Sequence, residues 1–284
     1  MLVALGYSAG GFKVKGGEMA IFRHPKVGRE LGVHICEQML SELVYNMANY
    51  EGSPLTPIET ELITEGFSVG NGRTIEEVNQ AYNIAKSWKH LIHSVKDESF
   101  KVNKETFVTL NAIAAKDERF SEPGRFRTGT RFIRNSTHKP PLPLALDNLF
   151  QDMLLVYSEE TNVVKQSYDL FLESSRNQYF GDGNKRTAQL MMNGNLLING
   201  YSPISFSPEN KEEFFSKMKD YYESNERGEM YNFLGKLQAQ IGLEKGGSNL
   251  SEPDKKILQL IEKYLSTSGP RESPDESHSR GMRR

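Results

Sequence analysis

The groups of this chain best suited to chemistry gather in one run, Gln178-Tyr179-Phe180-Gly181-Asp182-Gly183-Asn184-Lys185-Arg186-Thr187-Ala188-Gln189. Gly181 and Gly183 permit backbone conformations closed to other residues, and Lys185 and Arg186 bring positive charge to the place where a new helix exposes unpaired N–H groups. Together they make an anion cradle, with Asp182 able to hold a divalent metal beside a phosphate. A plain loop-to-helix turn would carry similar glycines, because short glycine motifs recur by chance. Apolar residues at helical spacing precede the run (Val163, Val164, Tyr168, Phe171, Leu172) and follow it (Ala188, Met191, Met192, Leu196), so the expected local structure is helix, loop, helix.

From Phe180 to Arg186 the run resembles the signature loop of the Fic/Doc family, His-Pro-Phe-x-Asp/Glu-Gly-Asn-Gly/Lys-Arg-x-x-Arg, and Gly183 to Ala188 is similar to its Doc-type version. Two positions depart from the pattern: Gln178 stands at the family's histidine and Gln189 at the second arginine. The resemblance implies ATP and Mg²⁺ as cofactors. It implies a nucleotide-binding set of Phe180, Gly181, Asp182, Gly183, Asn184, Lys185, Arg186 and Gln189, with Asp182 as metal ligand and Arg186 neutralising developing charge. In active relatives the histidine takes a proton from a Ser, Thr or Tyr hydroxyl of a target protein, which attacks the α-phosphate of ATP and receives AMP. Gln178 occupies that catalytic position without a proton acceptor, and losing a positioned base costs about 10²–10⁴-fold in rate. The expectation is a nucleotide-binding protein resembling protein adenylyltransferases, with weak or altered transfer. Two alternatives stand beside it: a non-catalytic module that binds peptides, and a Doc-like phosphotransferase, suggested by Lys185.

Two upstream segments extend the resemblance over roughly residues 30–240. Asn46 to Gly66 resembles the inhibitory segment of many Fic proteins, with Glu51 as the regulatory glutamate, although Met47 stands where relatives have Ser or Thr. Its usual partner is the second arginine, so pairing with Gln189 would be a weaker, neutral hydrogen bond. Pro123-Gly124-Arg125-Phe126-Arg127 resembles the Pro-Gly-x-x-Arg segment, followed by a flap that holds a target as an extended peptide. The alternation over Thr130, Arg131, Phe132 and Ile133, ended by Pro140-Pro141, predicts a small β-hairpin that would bind the target by strand addition.

The rest of the chain positions these residues. Helical periodicity predicts helices over Arg29 to Tyr50, Pro57 to Thr64, Ile75 to Val95, one after Asn103, Leu144 to Tyr157, the pair flanking the signature loop, one from Ser207-Pro208, and Glu229 to Leu243. Thr56-x-x-Glu59, Thr74-x-x-Glu77 and Ser251-x-x-Asp254 read as helix starts. The fold class is therefore mainly α, a Fic-type helical domain with one small hairpin. The expected layout is an irregular segment 1–27, with a short strand over Glu18 to Phe22, a helical core 28–245 that includes the inhibitory helices, a C-terminal helix 249–266 and a disordered tail 267–284.

Other residues have structural readings. Gly70-Asn71-Gly72-Arg73 reads as a turn before a capped helix, His90 and His93 as surface or core-edge residues, and the aromatics Phe214, Phe215, Tyr221 and Tyr222 as core. Cys36, the single cysteine, reads as core packing and excludes an intramolecular disulfide. A formal charge of −2 gives no global basic field for nucleic acid, and 37% hydrophobic residues suit a soluble globular protein. No stretch approaches the ~18 apolar residues of a membrane span, and the opening MLVALGYSAGGF lacks the basic start of a signal peptide. A cytoplasmic protein without membrane attachment is expected, with exposed helices that leave room for a homodimer.

Overall fold

The computed structural model describes residues 21–70, 72–118, 122–246 and 249–267. Two short helices open it, α1 (Arg29–Gln38) and α2 (Leu40–Tyr50). They share the apolar run expected to form one helix, but the run breaks at Met39, whose φ of −91° and ψ of 6° lie in the bridge region. α3 (Pro57–Glu65) and α4 (Ile75–Lys96) each start at a full capping box, on Thr56/Glu59 and Thr74/Glu77 as expected. Arg73 grips Glu59 through two bonds of 2.7 Å, so the glycine-bearing stretch before α4 ties α3 to α4; its Asn71 lies outside the described residues.

α5 (Lys104–Ala114) is capped by Asn103, and α6 (Leu146–Glu159) follows a 3-10 turn at Pro143–Ala145. α7 (Val163–Asn177) and α8 (Asn184–Ile198) flank the signature loop. α9 (Lys211–Ser224), α10 (Gly228–Gly246) and α11 (Glu252–Thr267) complete the described chain.

The molecule is built around α8, which is buried on both faces. Leu190, Met191 and Leu197 pack into a cluster with Leu43, Trp88, Leu91 and Phe107, whereas Ala188, Met192 and Leu196 join Phe171, Phe206, Phe214 and Leu234. Each such apolar side chain contributes about 1.5–3 kcal/mol on burial. α8 also buries amides, which would each cost about 1–3 kcal/mol if left unpaired. Accordingly Asn193 donates to the Ile204 carbonyl and accepts from its N–H, and Asn195 donates to Ser167 and accepts from Tyr157. At Gly194 a Cβ would lie 2.2 Å from the Phe100 ring, so only glycine admits that ring.

Several peripheral expectations change. Ile21 is helical and Phe22 a turn, so the expected strand is absent there, and residues 18–20 lie outside the described ones. Residues 130–142 run without a strand ladder; among the described residues, the β-type pairing in this region is one antiparallel bridge, Phe126 with Phe180. The expected hairpin is thus replaced by irregular chain, for the reason given with Arg127 below. Thr267 ends α11, while residues 268–284 lie outside the description.

Cys36 is fully buried, and burial pushes its thiol up. His90 and His93 are exposed, and among the described residues no group of three or more His, Cys, Asp or Glu could hold a metal unaided. Among the same residues no helix is long and apolar enough to cross a membrane.

Candidate functional site

α7 ends at Gln178, which turns the chain in the left-handed region at φ 50° and ψ 61°. The next two residues are anchored by packing. Tyr179 and Phe180 are fully buried against Phe107, Phe126 and Phe150, with centroids 4.9 Å apart for Phe107–Phe180 and 5.1 Å for Phe126–Tyr179. Each such pair adds about 0.5–1.5 kcal/mol beyond area burial. Asn184, the first residue of α8, closes the loop: its Oδ1 accepts from Phe180 N–H at 2.8 Å and its Nδ2 donates to Phe180 O at 2.9 Å. The Asn184 Nδ2 also lies 3.2 Å from Gln178 Oε1, and Gln178 Nε2 donates to Ser175 O at 2.6 Å. Both ends of the Gln178 amide are therefore held, and neither is a base near neutral pH.

Gly183 starts α8 at φ 71°, with no side chain capping the helix. A Cβ at Gly183 would lie 2.8 Å from that of Ala115 and 3.1 Å from Asn111 Nδ2, so the loop can close onto α5 only through glycine. Asn111 then links three elements, donating to Asp182 O and Thr187 Oγ1 and accepting from Gly124 N–H. The uncapped start of α8 leaves N–H groups and the positive end of the helix dipole for an anion.

Arg186, 2% exposed, is the charged centre of the site. Its Nη1 lies 2.7 Å from Glu118 and donates to Ala114 O, while its Nη2 lies 2.9 Å from Asp182 Oδ1. Its buried Nε has no hydrogen-bond acceptor; the Glu51 carboxylate stands 3.9 Å away. Burial alone would depress this guanidinium, but Glu51, Glu118 and Asp182 hold it above its ordinary value.

Glu51 is placed by the end of α2. The Tyr50 ring packs 5.0 Å from Phe214 and its hydroxyl donates to Ser207 O, while Lys211 donates to Asn49 O at 2.6 Å. The Glu51 carboxylate lies 3.4 Å from Lys185 Nζ. Burial pushes this carboxyl up, yet Lys185, Arg186 and Lys211 together bring it below the ordinary range. The expectation that Glu51 lacks a charged partner is therefore corrected: Lys185 supplies the charge that Gln189 does not. Gln189 is buried on α8.

The segment after Pro123-Gly124 is held by Arg127 rather than by a ladder. Its N–H donates to Tyr179 O, and its guanidinium donates to the carbonyls of Gln178 at 2.5 Å, Gly129 at 2.8 Å and Pro141 at 2.6 Å. One side chain thus satisfies carbonyls that strand pairing would have used, which is why no hairpin forms. Burial and the like charge of Arg131 depress Arg127. Thr130 is exposed, Phe132 is 82% exposed, and Arg131 and Ile133 are half-buried.

With this geometry in place, comparison with known proteins shows what the chain is similar to. Residues 101–196 match the model of the Fic/DOC family. The matched residues hold α5, Arg127, the flap and the signature loop through most of α8, while α2 with Glu51 lies before them. The chain is 27% identical over 186 residues to the protein adenylyltransferase Fic of Nematostella vectensis, covering 63% of this chain and 41% of that protein. It is 25% identical over 203 residues to the protein adenylyltransferase Fic of Aedes aegypti, covering 67% of this chain and 38% of that protein. The chain therefore spans about two fifths of the length of these curated relatives.

Solved structures share the fold. Fic-1 from C. elegans matches with a TM-score of 0.64 at 19% identity, over 80% of this chain and 66% of that one. A Fic domain containing signaling protein from Bacteroides thetaiotaomicron matches at 0.63 and 16% identity, over 82% of this chain and 97% of that one.

Within the matched residues the structure brings Phe180 to Arg186 together as one loop and helix start. Glu118, Asn111 and Lys211, which hold Arg186, the loop and the end of α2, carried no motif in the sequence. They act through turn, backbone and long-stem contacts that no spacing announces.

Proposed function

We propose that this chain binds ATP at the start of α8 and resembles the protein adenylyltransferases in the reaction it supports, with AMP transfer to a protein hydroxyl slowed by the missing base. The observation that carries this reading is the uncapped N-terminus of α8 beside the buried, unpaired Nε of Arg186. An anion there would complete both sets of donors, and a triphosphate fits a cradle that also holds Lys185.

Mg²⁺ fits as well. Asp182 Oδ1 is used by Gly183 N–H and Arg186, which leaves Oδ2 for a cation; one carboxylate plus substrate phosphates is a common Mg²⁺ environment. When bound, the ion would neutralise phosphate charge. The chain's own residues do the remainder: Asn184 holds the loop closed, Arg186 stabilises charge developing on the α-phosphate, and Gln178 orients groups without taking a proton. The irregular segment 128–142 would receive the target as extended chain. Glu51, paired with Lys185 and Arg186, competes with phosphate for the same cations and so restrains binding.

Two measurements test the reading. Calorimetry should show Mg²⁺-dependent ATP binding that Asp182→Ala weakens; no binding, or no effect of the substitution, would remove the site assignment. ATP labelled at the α or the γ position should leave α label on protein. Label from γ alone would indicate phosphate transfer, and label from neither would favour a peptide-binding module.

A further inference from the structure

The flap carries a charge pattern that the rest of the chain does not. Residues 123–146 contain four arginines (Arg125, Arg127, Arg131, Arg134), one lysine (Lys139) and no Asp or Glu, in a chain whose formal charge is −2. Arg127 is spent on backbone carbonyls. Arg131, Arg134 and Lys139 make no ion pair among the described residues, and Arg125 stands 3.9 Å from Glu122 with both side chains well exposed. Burial, and after it the like charge of Arg131, depress Arg127.

Arg125, Arg127 and Arg131 line an opening. A cleft of about 350 Å³ lies between the flap and the signature loop, bounded by Arg125, Arg127, Thr130, Arg131 and Gly181, with Glu122 as its one acidic lining residue against three arginines. It therefore reaches the loop where the transferred group would be held. By contrast, a cleft of about 370 Å³ at Glu51 is lined by Glu51, Glu76, Glu77, Asp117 and Glu118 along with Lys116, so the two openings differ in sign. Phe132, the next residue after Arg131, is exposed.

The geometry points to an acidic segment of a protein target as the occupant of the flap cleft: an extended stretch with Asp or Glu near the acceptor hydroxyl, its carboxylates meeting Arg125 and Arg131 and an apolar residue meeting Phe132. This deepens the function proposed above, since it names the target class for the same flap. Arginine suits the task because its fork binds carboxylates in two-point fashion, and the unmatched positive field also speeds the encounter. Strand-like backbone contacts would tolerate varied side chains, so the charge supplies the selectivity.

The test uses the full chain and fluorescein-labelled peptides of one length around a central Ser. One has flanking Asp and Glu, one the isosteric Asn and Gln, and one Lys; a single-stranded RNA oligomer is the polyanion control. Anisotropy should show the acidic peptide binding about tenfold tighter than its Asn/Gln twin at about 30 mM salt, with the difference shrinking at about 300 mM. The double variant R125Q/R131Q should lose that preference while its ATP affinity by calorimetry stays unchanged. Should that variant melt early, the single variants R125Q and R131Q and the wild-type salt series decide in its place. Equal binding of the neutral peptide, a preference that survives these variants, or equally tight RNA binding would overturn the proposal. Peptide selectivity without ATP binding would sink the nucleotide reading and leave this one standing; ATP binding without peptide selectivity would do the reverse.

Discussion

Replacing Glu51 with Gln keeps the side chain's shape and removes its charge from the cradle. In the structure that charge sits 3.4 Å from Lys185 and 3.9 Å from Arg186. Its side chain is 18% exposed, so an effective dielectric constant of ~20 applies, and the two attractions come to about 5 and about 4 kcal/mol before desolvation and screening. Both are attractions a phosphate would otherwise receive. Couplings between competing ligands of one site typically amount to about 1–3 kcal/mol, and these gross values place Glu51 in the upper half, near 30- to 150-fold in Kd. Arg186 keeps Glu118 and Asp182 in the variant, so its charge stays matched and the fold should hold. Calorimetry with ATP and Mg²⁺ should find E51Q binding at least about tenfold tighter than the parent chain. Because the neighbouring cations keep the Glu51 carboxyl below its ordinary range, lowering the pH from 7 to 5 should leave it charged and should not mimic E51Q. A well-folded E51Q that binds ATP no more tightly would refute the competition argument.

Gln178→His should raise auto-AMP transfer by about 10²–10⁴-fold, measured with α-labelled ATP; histidine tolerates the left-handed turn, so an unchanged rate would place the defect elsewhere. Gly183→Ala puts a Cβ 2.8 Å from Ala115 at a positive φ and should lower stability by about 1–3 kcal/mol in denaturant titration; an unchanged midpoint would mean that the loop does not close onto α5. His24 is buried, and burial lowers it to about 3 from its ordinary 6.5. Its neutral form is favoured in the fold, so its contribution is complete above pH 6.5 and is lost as pH falls towards 3. Between pH 7 and 5 that loss is about 2 kcal/mol, and His24→Met should flatten the corresponding part of the stability profile.

What was legible in the sequence was mostly local. The capping boxes at Thr56 and Thr74 and the start of α8 depend on neighbours a few residues apart, and each appears where its spacing put it. The signature loop was readable because glycine, acid and base types are chemically eloquent on their own. The partner of Glu51 was misassigned because the motif's pattern directs attention to Gln189, whereas the long stem of Lys185, one residue into α8, reaches the carboxylate. Glu118 was invisible because its role depends on where the turn after α5 ends. Alternation over residues 130–133 suggested a hairpin, but a strand needs a partner, and Arg127 occupies the carbonyls first. The break at Met39 has no marker in composition at all.

Arg127 leads to a last consequence. Its donors join Gln178 to Gly129 and Pro141, so the segment that would select a target and the loop that would hold its phosphate donor share one guanidinium. Lifting the flap away would break charge-assisted bonds on both sides at once. Any displacement of residues 129–141 is therefore geared to the loop at Gln178: a change that moves the segment must keep the register of Arg127 or shift Gln178 with it.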